Sequence, residues 1–191
     1  MPFNPKFLSE LVNDLHSEKS PEIRQHIMES ILNDDQNKGQ FWEQVLAKHM
    51  GHTKLLEGNE WYRDFDDDSD AKFATLSNLE NKQSGRSNFQ ATIHINNKIG
   101  TLRVCICATL PGVMNPKVYF LLIPYEGYKK FLEKTNDEGI PHPIKISFSN
   151  FNPYGEIWQK YQTNFEGVCK SLKVDNNSNI YYTDYDLDNM E

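Results

Sequence analysis

Positions 60 to 76 read Glu60-Trp61-Tyr62-Arg63-Asp64-Phe65-Asp66-Asp67-Asp68-Ser69-Asp70-Ala71-Lys72-Phe73-Ala74-Thr75-Leu76. Five aspartates fall within seven positions, directly before a segment of strand character. Mutual repulsion makes such a density unfavourable unless a cation or a lysine offsets it. Asp70 and Lys72 are two apart, so once a strand has begun they project from one face, while Ala71 and Phe73 point the other way into a core. Carboxylates are the kind of oxygen donor that a hard divalent cation such as Mg2+ takes. A lysine at strand spacing beside them can orient a water and offset charge that develops on an anion under attack.

The same residues admit other readings. Asp64, Asp66, Asp68 and Asp70 alternate as in an EF-hand Ca2+ loop, but Ser69 stands where that loop needs Gly and Thr75 where it needs Glu. An acidic loop that is simply solvated, or that faces a basic partner in a non-enzymatic interaction or regulatory protein, also accounts for the charge.

These residues need elements to position them. Residues 5–51 read as helical. Phe7, Leu8, Leu11, Val12 and Leu15 recur at helical spacing, and Ser20-Pro21-Glu22 looks like a helix start carrying Ile23, Ile27, Ile31 and Leu32. Gly39 then interrupts the pattern, Phe41, Trp42, Val45 and Leu46 begin a third helix, and Gly51 ends it. Beyond the acidic stretch FATL, ATIHI, TLRVCICA and KVYFLLIP are strand-like. Asn97-Lys98-Ile99-Gly100 suits a hairpin turn between the second and third. Leu102, Val104, Ile106 and Ala108 share one face. Val118–Ile123 is apolar on both faces, as in a central strand. Tyr125–Lys134 reads as a helix on that sheet, Ile144–Phe148 as a strand, residues 155–172 as a last helix, and Ile180–Tyr182 as a short edge strand in an acidic tail over 174–191. The expected architecture is one α+β domain spanning 1–191: a helical N-terminal region, then a four- to five-stranded mixed sheet flanked by helices.

Asp70-Ala71-Lys72, on a strand and preceded by acidic residues, resembles the PD-(D/E)XK nuclease superfamily, the group holding many type II restriction endonucleases. The order of elements over roughly residues 40–135 is similar too: helices, an acidic turn, the D-x-K strand, a hairpin, an apolar strand and a helix. The resemblance implies a Mg2+-dependent endonuclease that hydrolyses DNA phosphodiester bonds, acting on double-stranded DNA and as a homodimer if it cuts both strands of a palindrome. Asp70 and Lys72 match the second half of the motif. The first acidic residue is open among Asp64, Glu60 and Asp67, in that order of preference, and no Pro precedes any of them. The resemblance makes Asp64, Asp70, Lys72 and Glu60 the catalytic candidates and Asp64, Asp70 and Asp67 the metal ligands, with Glu43 as a further carboxylate.

The polar segment SNLENKQSGRSNFQ follows the motif strand. Its Lys82, Gln83, Arg86 and Asn88 are of types that read base edges, and Lys98 and Arg103 extend the basic strip. Lys117, Lys129, Lys130 and Lys134 suit either phosphate contacts or a solvated helix face. The formal charge of −7 over 191 residues is a poor match for a non-specific nucleic-acid binder, but seven acids lie within residues 57–70 and five within 171–191, leaving the middle near neutral. Cys105, Cys107 and Cys169 read as small buried apolar side chains, with neither disulfide framework nor zinc spacing. His49 and His52 stand three apart at a helix end without a third ligand in view. No apolar run reaches membrane-spanning length, and the first residues do not resemble a signal peptide, which suggests a cytoplasmic protein without membrane partners.

Overall fold

A computed structural model of the chain describes residues 35–50, 56, 63–80, 87–108, 117–170, 172–174 and 180–182. The helices expected before residue 35 lie outside the described residues. The first described element is helix α1, Asp35–His49, followed by strands β1 Asp70–Glu80, β2 Ser87–Ile93, β3 Leu102–Ala108 and β4 Lys117–Ile123. Helix α2, Tyr125–Glu138, leads to β5 Ile144–Ser149 and β6 Asn152–Tyr154. Then come helix α3 Glu156–Tyr161, strand β7 Gln162–Thr163, helix α4 Phe165–Cys169, and the strands β8 Leu172–Val174 and β9 Ile180–Tyr182.

The fold is mixed α+β. Seven strands form one sheet in the order β6-β5-β2-β1-β3-β4-β7, rather than four or five, and β8 pairs with β9 separately. β1 runs parallel to β3, while the other neighbours in the large sheet are antiparallel. On one face, Phe41, Trp42, Val45 and Leu46 of α1 pack with Ala71, Cys105, Cys107, Leu122 and Val168. The Trp42 ring stacks on Phe120 at 5.7 Å and its indole N–H donates to the Arg103 carbonyl at 2.7 Å, which ties α1 to β3. On the other face, Leu102, Val104, Ile106 and Ala108 share a core with Ile93, Ile146, Phe148 and Tyr128, and the rings of Trp158 and Tyr161 pack against it. The alternation in β3 therefore holds, and all seven of its residues are buried.

Four local expectations are revised. Gly39 does not interrupt α1; a glycine within a helix costs only about 1 kcal/mol, and the buried stripe from Phe41 to Leu46 outweighs it. The turn at Asn97 forms, with Asn97 at φ 59° and Lys98 N–H donating to Ile95 O at 3.3 Å, but it does not close a hairpin. β2 and β3 instead flank β1 on either side, because turn residues set only the local direction of the chain, and the pairing follows from which faces must be buried. β4 is not central; its outer neighbour is the two-residue β7, and side chains from α1, α3 and α4 supply the cover that a longer strand would give. The last helix is two short ones, interrupted where Gln162 and Thr163 pair with β4 and where the Asn164 side chain caps α4 by accepting from Gly167 N–H at 2.8 Å. α2 runs to Glu138 and ends at Gly139 in the left-handed conformation. The three cysteines are free and buried.

Candidate active site

β1 changes partner along its length. Asp70–Thr75 pair with β3, whereas the register with β2 runs only from Leu76 to Glu80. β2 meanwhile follows β5 as far as Ile93. A cleft of about 370 Å³ opens where the two strands part; Asp64, Asp70, Lys72, Lys98, His94 and the α1 residue Glu43 line it.

Asp70 sits at the start of β1 with its side chain completely buried. Lys98 Nζ donates to its Oδ1 at 2.7 Å. Lys72 Nζ lies 3.1 Å from Oδ2, as expected for two residues on one face of a strand, but not along a hydrogen-bond direction. Oδ2 therefore takes no hydrogen bond from a nitrogen donor, although buried polar atoms nearly always find one, and the Asp64 carboxyl is the acid beside it. Ala71 and the ring of Phe73 pack on the opposite face against α1.

Asp64 reaches the cleft from the turn before β1. Its Oδ2 accepts from Ala71 N–H at 2.8 Å. Burial first, and then the negative charge of Asp70, push its carboxyl up to about 7 despite that hydrogen bond. Glu43 is raised as well, by burial and by Asp70, with Lys72 and Lys98 pulling it back. Three carboxyl groups and two ammonium groups thus share one field.

Two local structures hold these groups. In the acidic turn, Asp64 N–H and Phe65 N–H both donate to Ser69 O, at 3.0 and 3.1 Å, and Phe65 is wholly buried. Arg103 anchors that turn from below. Its guanidinium is completely buried and donates to Asp67 Oδ2 at 2.6 Å, Ser69 Oγ at 2.8 Å, Val168 O at 2.6 Å and Lys170 O at 2.8 Å. In the crossover from β2 to β3, residues 94–101 carry the chain past the start of β1. A Cβ on Gly100 would stand 1.9 Å from Asp68 O, so only glycine fits there. Tyr128 O–H donates to Gly100 O at 2.5 Å, and Asp70 N–H donates to Thr101 O at 2.9 Å.

The structure brings Asp64, Asp70 and Lys72 together, with Glu43 beside them. It turns Asp67 away: that carboxylate accepts from Arg103, Ser69 N–H and Ser69 Oγ, and it does not line the cleft. Arg103 is likewise not an outward contact for nucleic acid, since its donors are spent inside the protein. Lys98 is directed into the cleft at Asp70 rather than outward on a basic strip. Asn88 lies on β2 opposite Leu79. Glu60, Lys82, Gln83 and Arg86 lie outside the described residues. Lys129 and Lys134 pair with Glu133 and Glu138 along α2, a solvated helix face. The pairing of Lys98 with Asp70 had no local signal. The alternation of Phe89, Ala91, Ile93 and Ile95 with Gln90, Thr92 and His94 buries the apolar set and leaves Thr92 and His94 at the cleft.

Among the described residues, no three His, Cys, Asp or Glu side chains are disposed to hold a metal ion by themselves. The donor set still suits Mg2+, which is commonly bound through one or two carboxylates, with water and substrate phosphate completing its shell. The buried Asp70 Oδ2 without a hydrogen bond, next to Asp64, is the oxygen such an ion would take. No described helix is long and apolar enough to cross a membrane. No family model, curated protein or solved structure matches the chain.

Proposed function

We propose that this protein is a Mg2+-dependent DNA endonuclease with a PD-(D/E)XK-like site, of the type II restriction kind. The observation that carries the reading is Asp70: a fully buried carboxylate with one oxygen lacking a hydrogen bond, beside Asp64 and two lysines, at the mouth of an open cleft. A purely structural acidic turn would satisfy its carboxylates, as Asp67 does.

Asp70 and Asp64 would hold the ion, with Glu43 next to them. When bound, Mg2+ supplies Lewis-acid polarisation of the phosphodiester and lowers the pKa of water beside it. The chain's own residues do the rest. Asp64 would have to lose the proton that burial and the Asp70 charge make it retain before its carboxylate could hold the ion. Lys72 would orient the attacking water and offset charge on the phosphorane-like transition state as the new P–O bond forms and the old one breaks; the water's proton passes to solvent, and the departing oxygen takes one from solvent. The proposed partner is double-stranded DNA, and two copies related by a two-fold axis would cut both strands of a palindrome. The apolar stripe of α1 is committed to the core, so a dimer surface would use other residues.

Incubation of plasmid with the purified protein tests this reading, with Mg2+, with Ca2+ and with EDTA. Discrete fragments in Mg2+ alone are expected. Asp70→Ala and Lys72→Ala should each lower the rate by at least about 10²-fold while still folding, as circular dichroism would show. Cleavage retained in both variants would remove the assignment of the site. Intact plasmid, repeated with unmodified DNA from several sources, would replace the nuclease with an acidic interaction protein.

A further inference from the structure

One carboxylate here has two ammonium partners, and they differ in origin. Lys72 belongs to the strand that carries Asp70. Lys98 comes from the crossover, 28 residues further along the chain. Lys98 makes the closer and better aligned contact, 2.7 Å against 3.1 Å, and its side chain is 12% exposed against 23% for Lys72. Its backbone is held from several sides, by the Asn97 turn, by Tyr128 on Gly100 and by the Asp70–Thr101 bond. Only the four-carbon stem is left to move, and that stem is the flexible part of a lysine.

A divalent cation on Asp70 would stand within a few ångströms of the Lys98 ammonium. Two positive centres that close repel strongly in a half-buried site. Among the described residues, the other titratable groups lining the cleft are Asp64, Glu43, Lys72 and His94. We propose that Lys98 is the resident counter-cation of the cleft: its ammonium holds Asp70 Oδ1 in the ion-free protein and is driven back from that oxygen by repulsion when a divalent cation binds at the neighbouring Oδ2. Lys98 thereby sets how tightly the free protein takes the ion. This inference rests on the cleft being a cation site, as proposed above.

Calorimetric titration of Mg2+ alone into the full chain, without nucleic acid and at pH 8, tests it. Lys98→Met is expected to bind Mg2+ about tenfold more tightly than wild type, because the competing charge is gone. Asp70→Asn is expected to bind none. A second measurement uses the wild-type protein and so does not depend on the variant folding: reductive methylation followed by peptide mass spectrometry, in which saturating Mg2+ should speed modification of Lys98. Equal Mg2+ affinity in wild type and Lys98→Met, lost in Asp70→Asn, with unchanged labelling of Lys98, would overturn the role of Lys98 and leave the cation site standing. No Mg2+ binding by wild type or by Lys98→Met would overturn both.

Discussion

Asp67 and Asp70 are three residues apart, and both carboxylates meet a basic side chain, yet they belong to different kinds of site. Asp67 meets Arg103. The planar guanidinium donates to four acceptors, and Asp67 also accepts from Ser69, so the cluster is closed and satisfied. Asp70 meets two lysines, and one of its oxygens still lacks a hydrogen bond. Arginine suits the first cluster because its fork of donors matches several fixed acceptors at once, whereas a lysine is a point charge on a flexible stem. A run of aspartates is thus divided by its partners: those facing arginine build the turn, and those facing lysine stay open to exchange.

The largest effect that tests this division is at Arg103. Arg103→Ala removes the partner of a largely buried carboxylate and strands two carbonyls, so a loss of about 3–5 kcal/mol is expected in denaturant unfolding. Arg103→Lys should recover little of it, since one ammonium cannot reach all four acceptors. Full stability in Arg103→Lys would show that charge alone holds the turn.

A smaller effect is expected at Asp64 and depends on pH. Its carboxyl is pushed up to about 7 from an ordinary value of 3.8. Between these values the folded protein binds the proton more firmly than the unfolded chain, so this group's contribution to stability falls as pH rises through that window. Above pH 7 the ionised Asp64 faces Asp70 and Glu43, and Asp64→Asn should stabilise the ion-free protein there by about 2 kcal/mol, with little difference near pH 4. Melting curves of both proteins across pH 4–8 check this, and a wild-type melting temperature that rises with pH relative to Asp64→Asn would contradict it. Least affected should be Asp68, whose salt bridge to Arg63 at 2.6 Å is solvent-exposed. Asp68→Asn keeps a residue that tolerates φ 64° and should change stability by less than about 0.5 kcal/mol at moderate salt.

Much of this was legible in residue order. The strand carrying Asp70 and Lys72, the apolar alternation of β3 and the helix after β4 follow from local periodicity; the approach of Glu43 on α1 depends on how that helix packs on β1. Lys98 and Arg103 read alike in the sequence, as basic residues on a polar strip, and the fold separates them. Arg103 is the one charged residue in a strand buried along its whole length, and its four acceptors come from segments 34 to 67 residues away. Lys98 reaches Asp70 only because β1 lies between β2 and β3. Neither placement is a matter of propensity or turn chemistry; both depend on sheet order, which a single sequence encodes through faces that must be buried rather than through motifs.

That sheet order also bears on how the cleft comes into being. β1 and β2 are joined by a short connection and can pair as soon as both have left the ribosome. β3 cannot add as the next hairpin, because it must pass the start of β1 and dock on the far side, a non-local step of the kind that slows folding. The Asp70–Lys72 end of β1 pairs with β3 and not with β2, so the same docking step that completes this end of the strand also brings in Lys98. Until the crossover has closed over Gly100, the acidic turn lacks both the strand beside Asp70 and the Lys98 ammonium that faces it.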